Sequence, residues 1–116
     1  GDKMFGLSEE KIAKWAEKGK GEKLLKAANI KNPELRKAVV KAMGKVENEQ
    51  VFNYLIICLR DRSSDIKLAA LDALEQLSNK NSVEHIKSLI HDSDSKVVDR
   101  AREVLRAINI SNGHSE

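Results

Sequence analysis

Apolar residues recur along this chain at a spacing of 31. Leu35, Ile66 and Val97 form one column. Val39, Ala70 and Ala101 form the next, and three more keep the same register: Ala42, Ala73 and Val104; Met43, Leu74 and Leu105; Val46, Leu77 and Ile108. Within each unit these positions fall three or four residues apart, the spacing of a helix with one apolar face. A fixed period of this length marks a solenoid, in which each unit buries its apolar face only against its neighbours. The pattern predicts an all-α array of stacked helical pairs.

The polar positions between the columns predict the helix ends. Asn32 is a good N-cap and Pro33 sits at the first helical position, where its missing N–H costs nothing. A turn at 47–49 leads to a second helix carrying Phe52, Leu55, Ile56 and Leu59. In the following unit Ser63 caps, a first helix runs from Ile66 to Leu77, and Asn81 with Glu84 reads as a variant capping box opening a helix with Val83, Ile86 and Ile90. Asp94 caps a last helix through about Ile108. The opening unit is degenerate but in register, with Ile12, Trp15 and Leu24 each 31 before Met43, Val46 and Leu55. Ser8 caps its first helix, Glu9 and Glu10 suit the positive end, and Leu7 is placed to staple onto Ile12. Gly19 and Gly21 break that helix before a short one over 22–28. The division is a single domain, 1–116, with units 1–31, 32–62 and 63–93, a half-repeat 94–109 and a polar tail 110–116. Seven helices result. Arg100 and Arg106 replace small or polar residues of the earlier units, as expected of a terminal unit that faces water.

Composition narrows the picture. Only Phe5, Trp15, Phe52 and Tyr54 are aromatic, so the core is built from Ala, Leu, Ile and Val, which suits close helix stacking; Ala38, Ala42, Ala69 and Ala73 are small where helices must approach. Cys58 is the only cysteine, which excludes an internal disulfide framework. No apolar run approaches membrane-spanning length and no signal peptide is visible. Cytoplasmic is the default expectation, and a start at Gly1 leaves room for a segment upstream. The net charge of +3 is uneven: residues 1–45 hold 12 Lys or Arg against 6 Asp or Glu, and the rest hold 9 against 12.

Several short motifs resemble a known family. Leu35-Arg36-x-x-Val39 and Ile66-Lys67-x-x-Ala70 resemble the V-R-x-x-A core of short HEAT-like repeats, the kind also found in phycobilisome lyases. Ala42-Met43-Gly44-Lys45-Val46 is similar to the A-L-G-x-I that follows it, and Leu59-x-Asp61 and Ile90-x-Asp92 to its L-x-D end. The resemblance covers roughly 20–108 and departs in the last unit, where Val98 replaces the basic residue. It implies a right-handed α-solenoid and, for most such arrays, adaptor work. A bilin-lyase-like enzyme subunit is the exception it admits, with no residue to carry over as catalytic.

Candidate chemistry is sparse. His85 and His91 are six apart and do not share a helical face, and His114 is in the tail, so no metal site is expected. Cys58 aligns with Ala27 and Leu89 and reads as a packing residue. Gly19-Lys20-Gly21 lacks the rest of a phosphate loop, and no carboxylate pair marks a cleft for acid–base catalysis. No cofactor is expected. Lys11, Lys14 and Lys18 lie along one helix face, and Lys37, Lys41 and Lys45 along the next, which admits a stripe for nucleic-acid phosphates. Against it, Lys41 aligns between Glu10 and Asp72 as in a surface charge ladder, and no aromatic residue interleaves the lysines for base stacking.

The stronger candidate is the outer face of the second helices, which the resemblance places on the concave side. Its rows read Glu22, Asn53, Glu84; Lys26, Ile57, Ser88; Leu25, Ile56, Lys87; and Asn29, Arg60, His91. The middle helix is apolar nearly all round, leaving Ile57, with Tyr54 and Ile56, short of burial. An apolar centre with charged edges suits an interaction surface. The expectation is a non-catalytic scaffold that binds a protein or peptide through Glu22, Lys26, Asn53, Tyr54, Ile56, Ile57, Arg60, Lys87 and His91. A second copy of the chain is the other occupant considered.

Overall fold

The computed structural model describes residues 6–113; Phe5 and His114 lie outside them. Among the described residues the chain is helical: α1 (Glu9–Glu17), α2 (Gly21–Ala27), α3 (Pro33–Ala42), α4 (Glu49–Cys58), α5 (Ser64–Leu77), α6 (Val83–Lys87) and α7 (Ser95–Ser111), with 3₁₀ turns at Met43–Lys45, Lys80–Ser82 and Ser88–His91. The expected caps form. Ser8 Oγ accepts from the Lys11 amide at 3.2 Å, and Asn32 Oδ1 from Glu34 and Leu35 at 3.0 and 3.1 Å. Ser63 Oγ accepts from Ile66 at 3.3 Å and Asp94 Oδ1 from Lys96 at 2.9 Å. Asn48 adds another, accepting from Val51 at 3.0 Å. Each such cap contributes about 1 kcal/mol.

Three boundaries differ from the sequence reading. Asn81 does not open α6. Asn79, just after the left-handed Ser78, takes the Asn81 amide at 2.8 Å and starts a 3₁₀ turn, which the buried Ser82 hydroxyl closes on the Asn79 carbonyl at 2.7 Å. The third second-layer helix is split, because Ser88 Oγ binds the His85 carbonyl at 2.7 Å and competes with the helical ladder. Residues 110–112 do not belong to a free tail: α7 continues to Ser111, and the Asn112 side-chain amide donates to the carbonyls of Ile108 and Ser78 at 2.9 and 3.0 Å, tying the end of α7 to the end of α5.

The helices form two layers. The first helices of the units, α1, α3, α5 and α7, pack side by side along their lengths, and each second helix lies against the first helix of the following unit, α2 on α3, α4 on α5 and α6 on α7, with α2 also touching α1. The columns meet between the layers: Val39, Ala70 and Ala101 are fully buried, as are Leu24, Leu55 and Ile86 of the second helices. Small side chains permit the close first-layer spacing. At Gly44 an added Cβ would lie 2.8 Å from the Ala73 Cα. Gly21, read as part of a helix break, is the first residue of α2, and its missing side chain makes room for Asn48 and Val51 of the next unit. The second layer is more open. Helix α2 meets α4 at few positions, and α4 and α6 scarcely touch. An open groove lies on the second-helix face between α4 and α6.

The motif residues 36, 61, 67 and 92 form one device repeated. Arg36 grips Asp61 at 2.8 and 3.4 Å and also donates to the carbonyl of Ala28 in the preceding unit. Asp61 accepts from the Ser63 amide at 2.9 Å and so fixes the entry to α5. One unit on, Lys67 pairs with Asp92 at 2.6 Å, and Asp92 accepts from Asp94 at 3.0 Å. The basic residue thus locks the first helix of a unit to its end, and the aspartate passes that lock to the next helix. Val98 ends the series. Arg100 departs from the expectation of a solvent-facing terminal residue: it turns back onto α5, 2.9 Å from Asp72 and 2.7 Å from Glu75. The terminal face is marked instead by Arg102, exposed where Leu71 and Val40 are buried one and two units earlier.

Candidate functional site

Helix α4 spends its inward face on Val51, Leu55 and Cys58, all buried. Phe52, Tyr54 and Ile56 pack half-buried at the flanks. Ile57 is left pointing out, 65% exposed; among the described residues only Ile110, at the end of α7, is a large apolar side chain in the same condition. Its counterparts in the repeat are the polar Lys26 and Ser88, so the outward position is ordinary and the isoleucine on it is not.

Ile57 sits in an open groove of about 520 Å³ between α4 and α6, lined by Ile56, Ile57, Arg60, Asp61, Arg62 and His85. Asp61 is its one carboxylate, and the Arg36 guanidinium holds that carboxyl below its usual range. Arg60 and Arg62 are exposed and make no ion pair among the described residues. The groove therefore offers an apolar floor and a cationic rim.

Of the residues assigned from sequence, Ile56, Ile57 and Arg60 come together here. Glu22 and Lys26 stand exposed on α2, and Lys87 and His91 on α6 and its 3₁₀ extension, with Lys87 paired to Glu84 at 3.1 Å. Asn53 faces a different depression of about 730 Å³ along the hairpin edge, with Phe52, Asn48 and Asn112. Tyr54 turns partly inward beside Arg36 and Cys58, and burial raises its phenol above the ordinary value. Burial likewise pushes the Cys58 thiol up to about 11, which suits a packing residue and not a nucleophile. Arg62 and His85 were missed. They reach the groove from different units, and a column reading compares only equivalent positions.

The lysine rows fare differently from one another. Lys37 pairs with Glu34 at 3.5 Å and Lys41 with Asp72 at 3.9 Å, so the α3 row belongs to a mixed ladder that continues to Arg100. On α1 the expectation that no ring interleaves the lysines is corrected: half-buried Trp15 has Lys11 and Lys23 over its ring, 5.9 and 5.8 Å from the centroid. Among the described residues no His, Cys, Asp and Glu cluster suited to a metal occurs, and no helix is long and apolar enough to cross a membrane.

Paired helices stacked in register, with the two central pairs closed by the same basic–aspartate lock, agree with a family model for HEAT repeats that matches residues 15–108. The chain belongs to the HEAT-repeat family. The match is to HEAT repeats at large and does not extend to the narrower bilin-lyase likeness. A search of curated proteins returned no match. As a HEAT array, the chain is a helical scaffold whose exposed faces are set by a repeating core.

Proposed function

We propose that this HEAT array is a non-catalytic scaffold that holds a protein or peptide segment on its second-helix face, with Ile57 as the apolar anchor. The observation that carries the reading is an isoleucine 65% exposed at the centre of the grooved layer, on a helix whose core duties other residues already fulfil. A side chain of this size contributes about 1.5–3 kcal/mol when a partner covers it, and central apolar anchors ringed by polar groups dominate many interfaces. Affinity capture with the wild-type chain and with Ile57→Glu, followed by titration of each purified partner, tests it. Partners that bind wild type more than tenfold tighter than the variant are expected. Equal binding of every partner would remove the site. If the wild type is a dimer and the variant a monomer by size-exclusion chromatography, the occupant is a second copy.

A second reading rests on Trp15. A ring flanked by Lys11 and Lys23, near Lys14 and Lys18, combines a stacking surface with phosphate-binding charge. Fluorescence anisotropy with a single-stranded oligonucleotide at about 0.15 M salt decides it. Binding in the micromolar range or tighter that is lost in Trp15→Ala would favour nucleic acid.

A further inference from the structure

Resting on the reading that Ile57 anchors a partner, we infer that the partner segment is acidic: a peptide with a bulky apolar side chain flanked by Asp or Glu, laid across the second helices near their C-terminal ends. The charges of this face change along the helix axis: both signs mix at the N-terminal ends, where Lys20, Lys23 and Lys80 neighbour the glutamates of α2 and α6, whereas the C-terminal ends are cationic. Glu22, Glu49 and Glu84 occupy the first turns of α2, α4 and α6. Lys26 and Lys87 occupy the last turns of α2 and α6, and Arg60 and Arg62 directly follow α4. Because the second helices of successive units run in the same direction, the cations form a strip across three units, and Ile57 lies at its centre.

Local compensation leaves that strip largely uncancelled. Asp61 is neutralised by Arg36 at 2.8 Å and by the Ser63 amide at 2.9 Å. Lys87 is shared with Glu84. The C-terminal dipole of α4 amounts to about half a negative charge, against the two guanidinium groups of Arg60 and Arg62, which carry no ion pair among the described residues. An apolar segment with basic flanks would meet like charge on both sides of Ile57. An acidic one gains attraction on each, and the field steers its encounter.

Selection of random peptides displayed against the immobilised full chain, followed by anisotropy of the enriched peptides, tests the inference. Two variants serve: Ile57→Glu, and Arg60→Glu with Arg62→Glu, each checked for wild-type helicity by circular dichroism. Enriched peptides should pair a large apolar residue with Asp or Glu. Both variants should weaken them at least about tenfold, and added salt should weaken wild-type binding. Neutral or basic peptides that ignore the double arginine variant yet fail on Ile57→Glu would overturn the acidic partner while leaving the anchor standing. Peptides that bind Ile57→Glu as well as wild type would overturn both. A folded chain that enriches nothing, or whose face is filled by a second copy, overturns the acidic-peptide inference.

Discussion

Replacing Gly44 by alanine tests the closest approach in the first layer. The new Cβ would lie 2.6 Å from Gln76 Oε1, 2.8 Å from the Ala73 Cα and 3.0 Å from the Ala73 carbonyl oxygen. Gln76 is exposed and can swing away at little cost. Ala73 is backbone inside α5, fully buried, and cannot. Ordinary contact begins near 3.4 Å, so the 3₁₀ turn that follows α3 must part from α5 by about 0.6 Å at this point. Overpacking of this kind costs about 1–3 kcal/mol. The stiffer alanine backbone returns about 0.4–1 kcal/mol through the unfolded state. The net expectation is a loss of about 1–2 kcal/mol, which lowers the urea midpoint by roughly 0.5–1.5 M for a chain of this size. The double variant with Gln76→Ala separates the two contacts. If Ala73 is the obstacle, removing the glutamine side chain restores little. A single variant with an unchanged or raised midpoint would refute the helix spacing described here, and full rescue by Gln76→Ala would place the clash on the side chain instead.

Two further outcomes follow from the ionisable groups. The carboxyls of Asp61 and Asp92 are held below their ordinary range by Arg36 and Lys67, so their contribution is complete above the unfolded pKa of about 4 and is lost as pH falls through the lower folded value. Urea midpoints should be flat near neutrality and fall below about pH 4. The Asp61→Asn, Asp92→Asn variant should be less stable at neutral pH, with a shallower acid slope, and an acid slope equal to wild type would count against the lock. Cys58, buried and with its thiol pushed up to about 11, should react with a thiol reagent slowly in the native chain and rapidly in urea; fast native labelling would show that α4 does not cover it.

Much of the fold was legible because a solenoid's core is local and periodic. The columns through Val39, Met43 and Leu55, and the caps at Ser8, Asn32, Ser63 and Asp94, depend on residues within a helix or one unit away. What escaped depends on competition or on geometry between units. Asn79 and Asn81 are both able caps, and the left-handed Ser78 decided between them. Arg100 reads as a terminal charge until Asp72 and Glu75 are seen across the helix interface. The column of Val40, Leu71 and Arg102 went unnoticed, although it separates interior units from the terminal one. At the candidate site, the excess of large side chains on α4 pointed to Ile57, which is exposed as expected. Tyr54, equally apolar in pattern, is drawn inward toward Arg36, a neighbour its own helix does not reveal. Arg62 and His85 join the groove only because α4 and α6 stand apart.

The central claim is that Ile57 is spare, present on the second-helix face without holding the fold together. The urea midpoint of Ile57→Glu tests this most directly. An exposed site predicts a change within about 0.5 kcal/mol of wild type. A loss of several kcal/mol, as an unpaired carboxylate forced into a core would cause, would contradict it and return Ile57 to the packing of the array.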